Sequence, residues 1–209
     1  MKIQPVVEGH GEVIAVPVLL RRLRDEIGIH QVDFLHPIRR KRSELVNEPA
    51  LRKSVRLALL QEGCTGILIL FDGDDDCPGE LGPQVQAWAS DEAGQTPCAV
   101  VIAESEYEAW FLGSLETLRG RRGIRADAVS HPSPESVRGA KETLDENMQP
   151  GSSYLETTDQ AALTALFDFA SAHRKCRSFR RLVKAFGLVA SGGQGLQRPW
   201  PPPTWSREL

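Results

Sequence analysis

Residues 67–76 read Ile-Leu-Ile-Leu-Phe-Asp-Gly-Asp-Asp-Asp, and they constrain the chain more than any other stretch. Five consecutive apolar side chains run into four carboxylates, Asp72, Asp74, Asp75 and Asp76. A continuous apolar run closed by turn chemistry predicts a strand buried on both faces, as in a parallel sheet. Open α/β sheets hold their ligands at the carboxyl ends of such strands. Crowded carboxylates repel one another and raise each other's pKa values unless a counter-charge is present. A divalent cation supplies one, and carboxylate oxygens are what magnesium prefers. The plain alternative is a solvated acidic turn.

The rest of the chain supplies partners for that strand. Lys2 to Val7 predicts a first strand, with Pro5 favouring an edge or a strand start. Glu8-Gly9-His10-Gly11-Glu12 follows, then helical apolar spacing through Leu23, with a start near residues 14–17 or a kink at Pro17. Val32 to Ile38 predicts a strand, and Pro49 to Glu62 a helix. Pro83 opens a helix to about Glu92, and Cys98 to Ala103 predicts a strand leading into a helix that starts within Glu104 to Leu112. Strands alternating with helices predict an α/β fold, a parallel, doubly wound sheet flanked by helices. Beyond it, helices are expected up to Asn147, over Thr158 to His173 and over Ser178 to Phe186. The division expected is a metal-binding domain over 1–115, a mainly helical extension over 116–190 packed on it and a loose Gly/Pro-rich tail over 191–209.

Composition narrows the setting. With 41% hydrophobic and 25% charged residues, 209 residues are ordinary globular material. No apolar run approaches the ~20 residues of a membrane span, and the start has no signal-peptide pattern, so a cytoplasmic location is expected. Cys64, Cys77, Cys98 and Cys176 are scattered without a Cys-x-x-Cys pair, against a zinc site or a disulfide framework. A net charge of −3 means that nucleic acid would be met by local basic patches, and Arg39, Arg40 and Arg42, with Arg180 and Arg181, are the candidates.

Three acidic strand ends converge on one rim in such a sheet. Glu8 and Glu12 follow the first strand, Asp72, Asp74 and Asp76 the third, and Glu104, Glu106 and Glu108 the fourth. If the segment from Glu8 is helical, Glu8 and Glu12 lie one turn apart on one face. His10 is a weaker candidate for a metal or phosphate. Trp88, Trp110, Phe167 and Phe169 fit a core better than a base-stacking platform.

A hydrophobic strand ending in Glu-Gly, a helix, and a later hydrophobic strand ending in Asp-x-Asp resembles the TOPRIM domain, the metal-binding module of topoisomerases, primases and several nucleases. The second acid in Glu8-Gly9-His10-Gly11-Glu12 is similar to the nuclease branch called overcoming-lysogenization-defect. Glu108-Ala109-Trp110-Phe111-Leu112 and Ser178-Phe179-Arg180-Arg181-Leu182 look like a stand-alone TOPRIM-like family of unknown function. Its members often sit beside ATP-binding-cassette-type ATPases in bacterial phage-defence-like loci. The superfamily resemblance covers residues 1 to about 112 and is looser beyond.

The resemblance implies a Rossmann-like TOPRIM sheet and phosphodiester hydrolysis dependent on two Mg2+ (or Mn2+) ions. Glu8 would be the acid/base or metal-shaping glutamate, Glu12 would complete a metal site, and Asp72 and Asp74 would be the main ligands. Asp76, Glu104 and Glu108 would extend the metal set. Lys141 is the candidate for neutralising transition-state charge. The implied partners are nucleic acid, DNA ahead of RNA, and an ATPase subunit.

Two other readings compete. A haloacid-dehalogenase-like phosphatase also carries Asp-x-Asp after an apolar strand, but near the start of its domain and without the preceding Glu-Gly. A non-catalytic metal-binding partner subunit would keep the carboxylates without turnover. An EF-hand loop is excluded, because Cys77 and Pro83 stand where glycine and glutamate belong.

Overall fold

The computed structural model of the chain describes residues 1–206. Its elements are β1 (Lys2–Val7), α1 (His10–Ile27), β2 (Asp33–Phe34), β3 (Ile38–Arg39), α2 (Arg42–Leu45), α3 (Glu48–Leu59), β4 (Cys64–Asp72), α4 (Pro78–Ala93) and β5 (Cys98–Ala103). The second half is helical: α5 (Ala109–Leu112), α6 (Leu115–Leu118), α7 (Ala140–Glu146), α8 (Glu156–Thr164), α9 (Phe169–Lys175) and α10 (Arg177–Ala190). The sheet runs β2-β1-β4-β5, with β3 also on β1, and every pairing is parallel. This is a Rossmann-like α/β fold.

Alternation along the strands divides the sheet's two faces. Val6, Ile67, Ile69, Phe71 and Ile102 pack with Leu51, Val55, Val85 and Ala89 of α3 and α4. Ile3, Val7, Leu68, Leu70, Ala99 and Val101 pack on the opposite face with α1 and with Phe179, Leu182, Val183 and Phe186 of α10. Helix α10, within the expected extension, therefore packs on the sheet and supplies one layer of its sandwich. Gly66 permits this contact, because a Cβ there would stand 2.7 Å from Val189 Cγ1.

Several boundaries differ from the sequence expectation. Helix α1 starts at His10 and carries Pro17 inside it, fully within the core side. The expected strand over 32–38 is two short pieces on either side of His36-Pro37, because proline cannot continue the ladder. The expected helix over 158–173 breaks into α8 and α9 at Phe167-Asp168, where the Asp168 carboxylate accepts from Ser171 N at 2.7 Å and starts a new helix. The helix expected to start within Glu104 to Leu112 begins at Ala109 as α5, and Glu104 to Glu108 form the loop before it. The tail is docked rather than loose. Trp200 Nε1 donates to the Val183 carbonyl at 2.7 Å, and Trp205 is buried against Phe169 and His173. The last three residues of the expected tail, 207–209, lie outside the described residues.

Candidate active site

Strands β1 and β4 are neighbours in register, Val7 beside Leu70, so Glu8 and Asp72 leave the sheet within one residue of each other. Both line a cavity of about 290 Å³ with Glu12, Lys141, Glu156, Arg39 and Arg42. His10, Lys41 and Gln160 complete its polar lining. The cavity lies at the carboxyl ends of parallel strands, where backbone and side chains converge.

Each carboxylate has a distinct environment. Glu8 is half-buried, and its Oε2 is buried without a hydrogen-bond partner. Burial, then the charge of Asp74, raises its pKa. Glu12, at the third position of α1, turns back so that Oε2 accepts from Glu8 N and Gly9 N, both at 2.8 Å. That is the glutamate half of a capping box, and it satisfies two N–H groups at the helix start. Glu12 is 3% exposed, and burial, against those two hydrogen bonds, pushes its pKa up to about 7. Asp72 Oδ1 accepts from Tyr107 N at 2.9 Å, which ties the end of β4 to the loop after β5. Burial and the charges of Glu12 and Glu108 raise its pKa well above the usual aspartate value.

Lys141 supplies the positive charge inside this ring. Its Nζ stands 3.4 Å from Glu156 Oε2 and 3.9 Å from both Asp72 Oδ2 and Glu106 Oε1. Burial pulls its pKa down, yet Glu108, Asp72, Glu156 and Glu106 together hold it above the usual lysine value. Glu106 also accepts from Lys141 N at 3.0 Å, fixing the start of α7 against the β5 loop.

A family model described as a domain of unknown function, DUF4276, matches residues 7–186. The chain belongs to the DUF4276 family. No curated protein and no solved structure matches it. The matched span of this DUF4276 chain begins with the last residue of β1 and ends within α10, so it contains Glu8, Asp72, Lys141 and Glu156 together.

The remaining expected ligands do not gather at the cavity of this DUF4276 protein. Asp74, at φ 48°, lies 3.1 Å from Arg42 Nε, and Arg42 also pairs with Asp76. The same guanidinium donates to the carbonyls of Asp72 and Gly73 at 3.2 and 3.0 Å. Arg42 thus serves as the counter-charge of the acidic loop. Glu104 lines a separate small cleft with Cys77, Arg177 and Arg181. It left the site because the loop after β5 turns between Glu104 and Glu106. Glu108 is fully buried, with Oε1 accepting from Tyr154 Oη at 2.6 Å and Gln160 Nε2 at 3.0 Å, while Oε2 has no partner.

The basic candidates also divide. Arg39 lines the cavity and donates to the Glu8 carbonyl at 3.3 Å. Arg40 turns away to Ser54 Oγ at 3.2 Å. Arg180 donates to the carbonyls of His173 and Arg174 and so terminates α9, and Arg181 sits at the Glu104 cleft. Tyr154, Glu156 and Gln160 were not anticipated from the sequence, whereas Lys41 belongs to the basic run 39–42. The spacing of Glu156 and Gln160, one turn apart on α8, was the one available signal.

The donor chemistry suits a hard cation. Glu8 offers an unpartnered buried oxygen, and Asp72 and Glu12 stand in the same cavity with raised pKa values, the condition a cation relieves. Among the described residues, however, no three His, Cys, Asp or Glu side chains are drawn together into a ready metal cluster.

Proposed function

We propose that this protein hydrolyses phosphodiester bonds in a divalent-metal-dependent reaction, as a TOPRIM-type nuclease. The observation that carries the reading is Glu8, Asp72 and Lys141 in one cavity at the carboxyl ends of adjacent parallel strands. Glu8 and Asp72, with Glu12 beside them, would hold Mg2+ or Mn2+, two ions if the resemblance holds. Bound there, the metal would supply Lewis-acid activation of water and charge neutralisation at phosphorus. Lys141 is placed to offset charge that develops on the phosphoryl oxygens. Glu8, whose burial raises its pKa, stands in the same cavity and is placed to take up or pass on a proton there. Arg39 and Lys41 are the side chains from which a phosphate backbone would gain attraction.

DNA ahead of RNA as substrate, an ATP-binding-cassette-type ATPase as partner and a role in phage defence complete the proposal on the strength of the resemblance, and a cytoplasmic location joins them from the sequence pattern. Among the described residues no helix is long and apolar enough to cross a membrane.

A second reading, a metal-binding subunit without turnover, draws support from Arg42, which already neutralises Asp74 and Asp76. The test is cleavage of supercoiled plasmid and single-stranded oligonucleotides in Mg2+ or Mn2+, with Glu8→Gln and Asp72→Asn variants of confirmed folding. Metal-dependent cutting lost in both variants supports the nuclease. Metal binding by calorimetry without cutting leaves the second reading.

A further inference from the structure

The cavity has two walls of opposite and uncompensated charge. On one side the β3–α2 segment presents Arg39 and Lys41, both exposed, and neither side chain makes an ion pair among the described residues. On the other side an open groove of about 520 Å³ adjoins the cavity and shares Lys141 and Glu156 with it. That groove is lined by Glu142, Asp145 and Glu146 of α7, all exposed and none ion-paired among the described residues. Its one lysine is Lys141, which is already surrounded by Asp72, Glu106 and Glu156.

A polynucleotide that ran through the site would place phosphates along both walls. Contacts with free cations favour one direction through counterion release. Phosphates in the acidic groove would instead meet unscreened carboxylates well within a Debye length of about 8 Å. A strand that stops at Lys141 gains the first contribution and avoids the second.

We infer that this site takes the end of a nucleic-acid strand, which enters along Arg39 and Lys41 and terminates at Lys141, with α7 as an electrostatic stop. The inference rests on the phosphodiester reading for the class of ligand, and it adds which part of the polymer is bound.

The test compares a short linear single-stranded DNA with the same sequence closed into a circle. Binding is measured in Ca2+ and cleavage in Mn2+, with the full chain and with Glu142→Lys/Glu146→Lys, whose side chains are exposed and do not line the cavity of Glu8 and Asp72. The linear strand is expected to bind about tenfold or more tightly than the circle, and the α7 variant to close most of that gap. Arg39→Glu/Lys41→Glu is expected to weaken the linear strand. Equal binding of the two probes, a gap untouched by the α7 variant, or binding of neither probe overturns the inference. The two readings fail separately. Equal cutting of the circle removes the end preference and keeps the nuclease. A linear preference in binding without any cutting removes the nuclease and keeps the end-binding site.

Discussion

Lys141 Nζ stands 3.9 Å from Asp72 Oδ2, although the two residues come from opposite halves of the chain. Replacing Lys141 with Met would leave Asp72, Glu106 and Glu156 without their shared cation. The expected result is a loss of cleavage of roughly 10²-fold or more, the scale of removing one transition-state charge partner. Single-turnover rates in saturating Mn2+ separate this from weakened metal binding, which should change little or tighten.

Stability should fall as pH rises through the acidic range. Glu12 has its pKa raised from 4.5 to about 7, so the folded state holds a proton that the unfolded chain has released. The contribution is fully present below about pH 4.5 and is lost as pH rises to about 7. Its size is on the order of 3 kcal/mol. Urea midpoints of metal-free protein between pH 5 and 8 would show the slope, and Glu12→Gln should flatten it. A flat profile in the wild type would remove the buried carboxylate cluster as its cause.

A divalent cation should reverse that slope. Glu8 and Asp72 both have raised pKa values in this protein, so metal binding must release protons and strengthen with pH. Mg2+ or Mn2+ should raise the melting temperature at pH 8 far more than at pH 5, and calorimetry should count the bound ions. Glu8→Gln should abolish the shift while it leaves the metal-free melting temperature near or above that of the wild type.

Gly11 lies where α1 meets α8. A Cβ there would stand 2.6 Å from Gln160 Oε1 and 2.9 Å from the Glu156 carbonyl, so Gly11→Ala must push α8 outward. The expected cost is about 1–3 kcal/mol, typical of overpacking. The same shift would carry Glu156 from Lys141, so activity per folded molecule should fall as well. Denaturation and cleavage measured on one preparation distinguish the two effects.

Ser178 joins two separated motifs, since Trp110 Nε1 donates to its Oγ at 2.8 Å inside the core. Its backbone N donates to Glu135 Oε1 at 2.8 Å at the start of α10. Ser178→Ala would leave a buried indole N–H unpaired, at a cost of about 1–3 kcal/mol. Cleavage per folded molecule should be unchanged, because Ser178 does not line the cavity of Glu8 and Asp72. A loss of activity without a loss of stability would contradict this structural role.

The sequence by itself determined the parallel sheet and the acids at its rim. Each of those signals is local: the apolar run 67–71 needs burial on both faces wherever it sits, and Asp72 follows it covalently. Glu8 was legible for the same reason, as the residue that follows β1. Tertiary structure alone decided which acids share a cavity. Glu104 and Glu106 are two residues apart, yet one faces Arg181 and the other Lys141, because the loop between them turns. Glu156 reaches Gly11 N across 145 positions, at 3.4 Å, through the packing of α8 on α1. Arg180 is no different from Arg39 as a letter in a basic run, but it spends its guanidinium on the carbonyls that end α9. That helix α10 would pack on the first half was expected, but which face of the sheet it covers came only from the fold. Periodicity shows that a side chain must be buried or charged, whereas its partner depends on contacts between segments far apart in the chain, which no local pattern encodes.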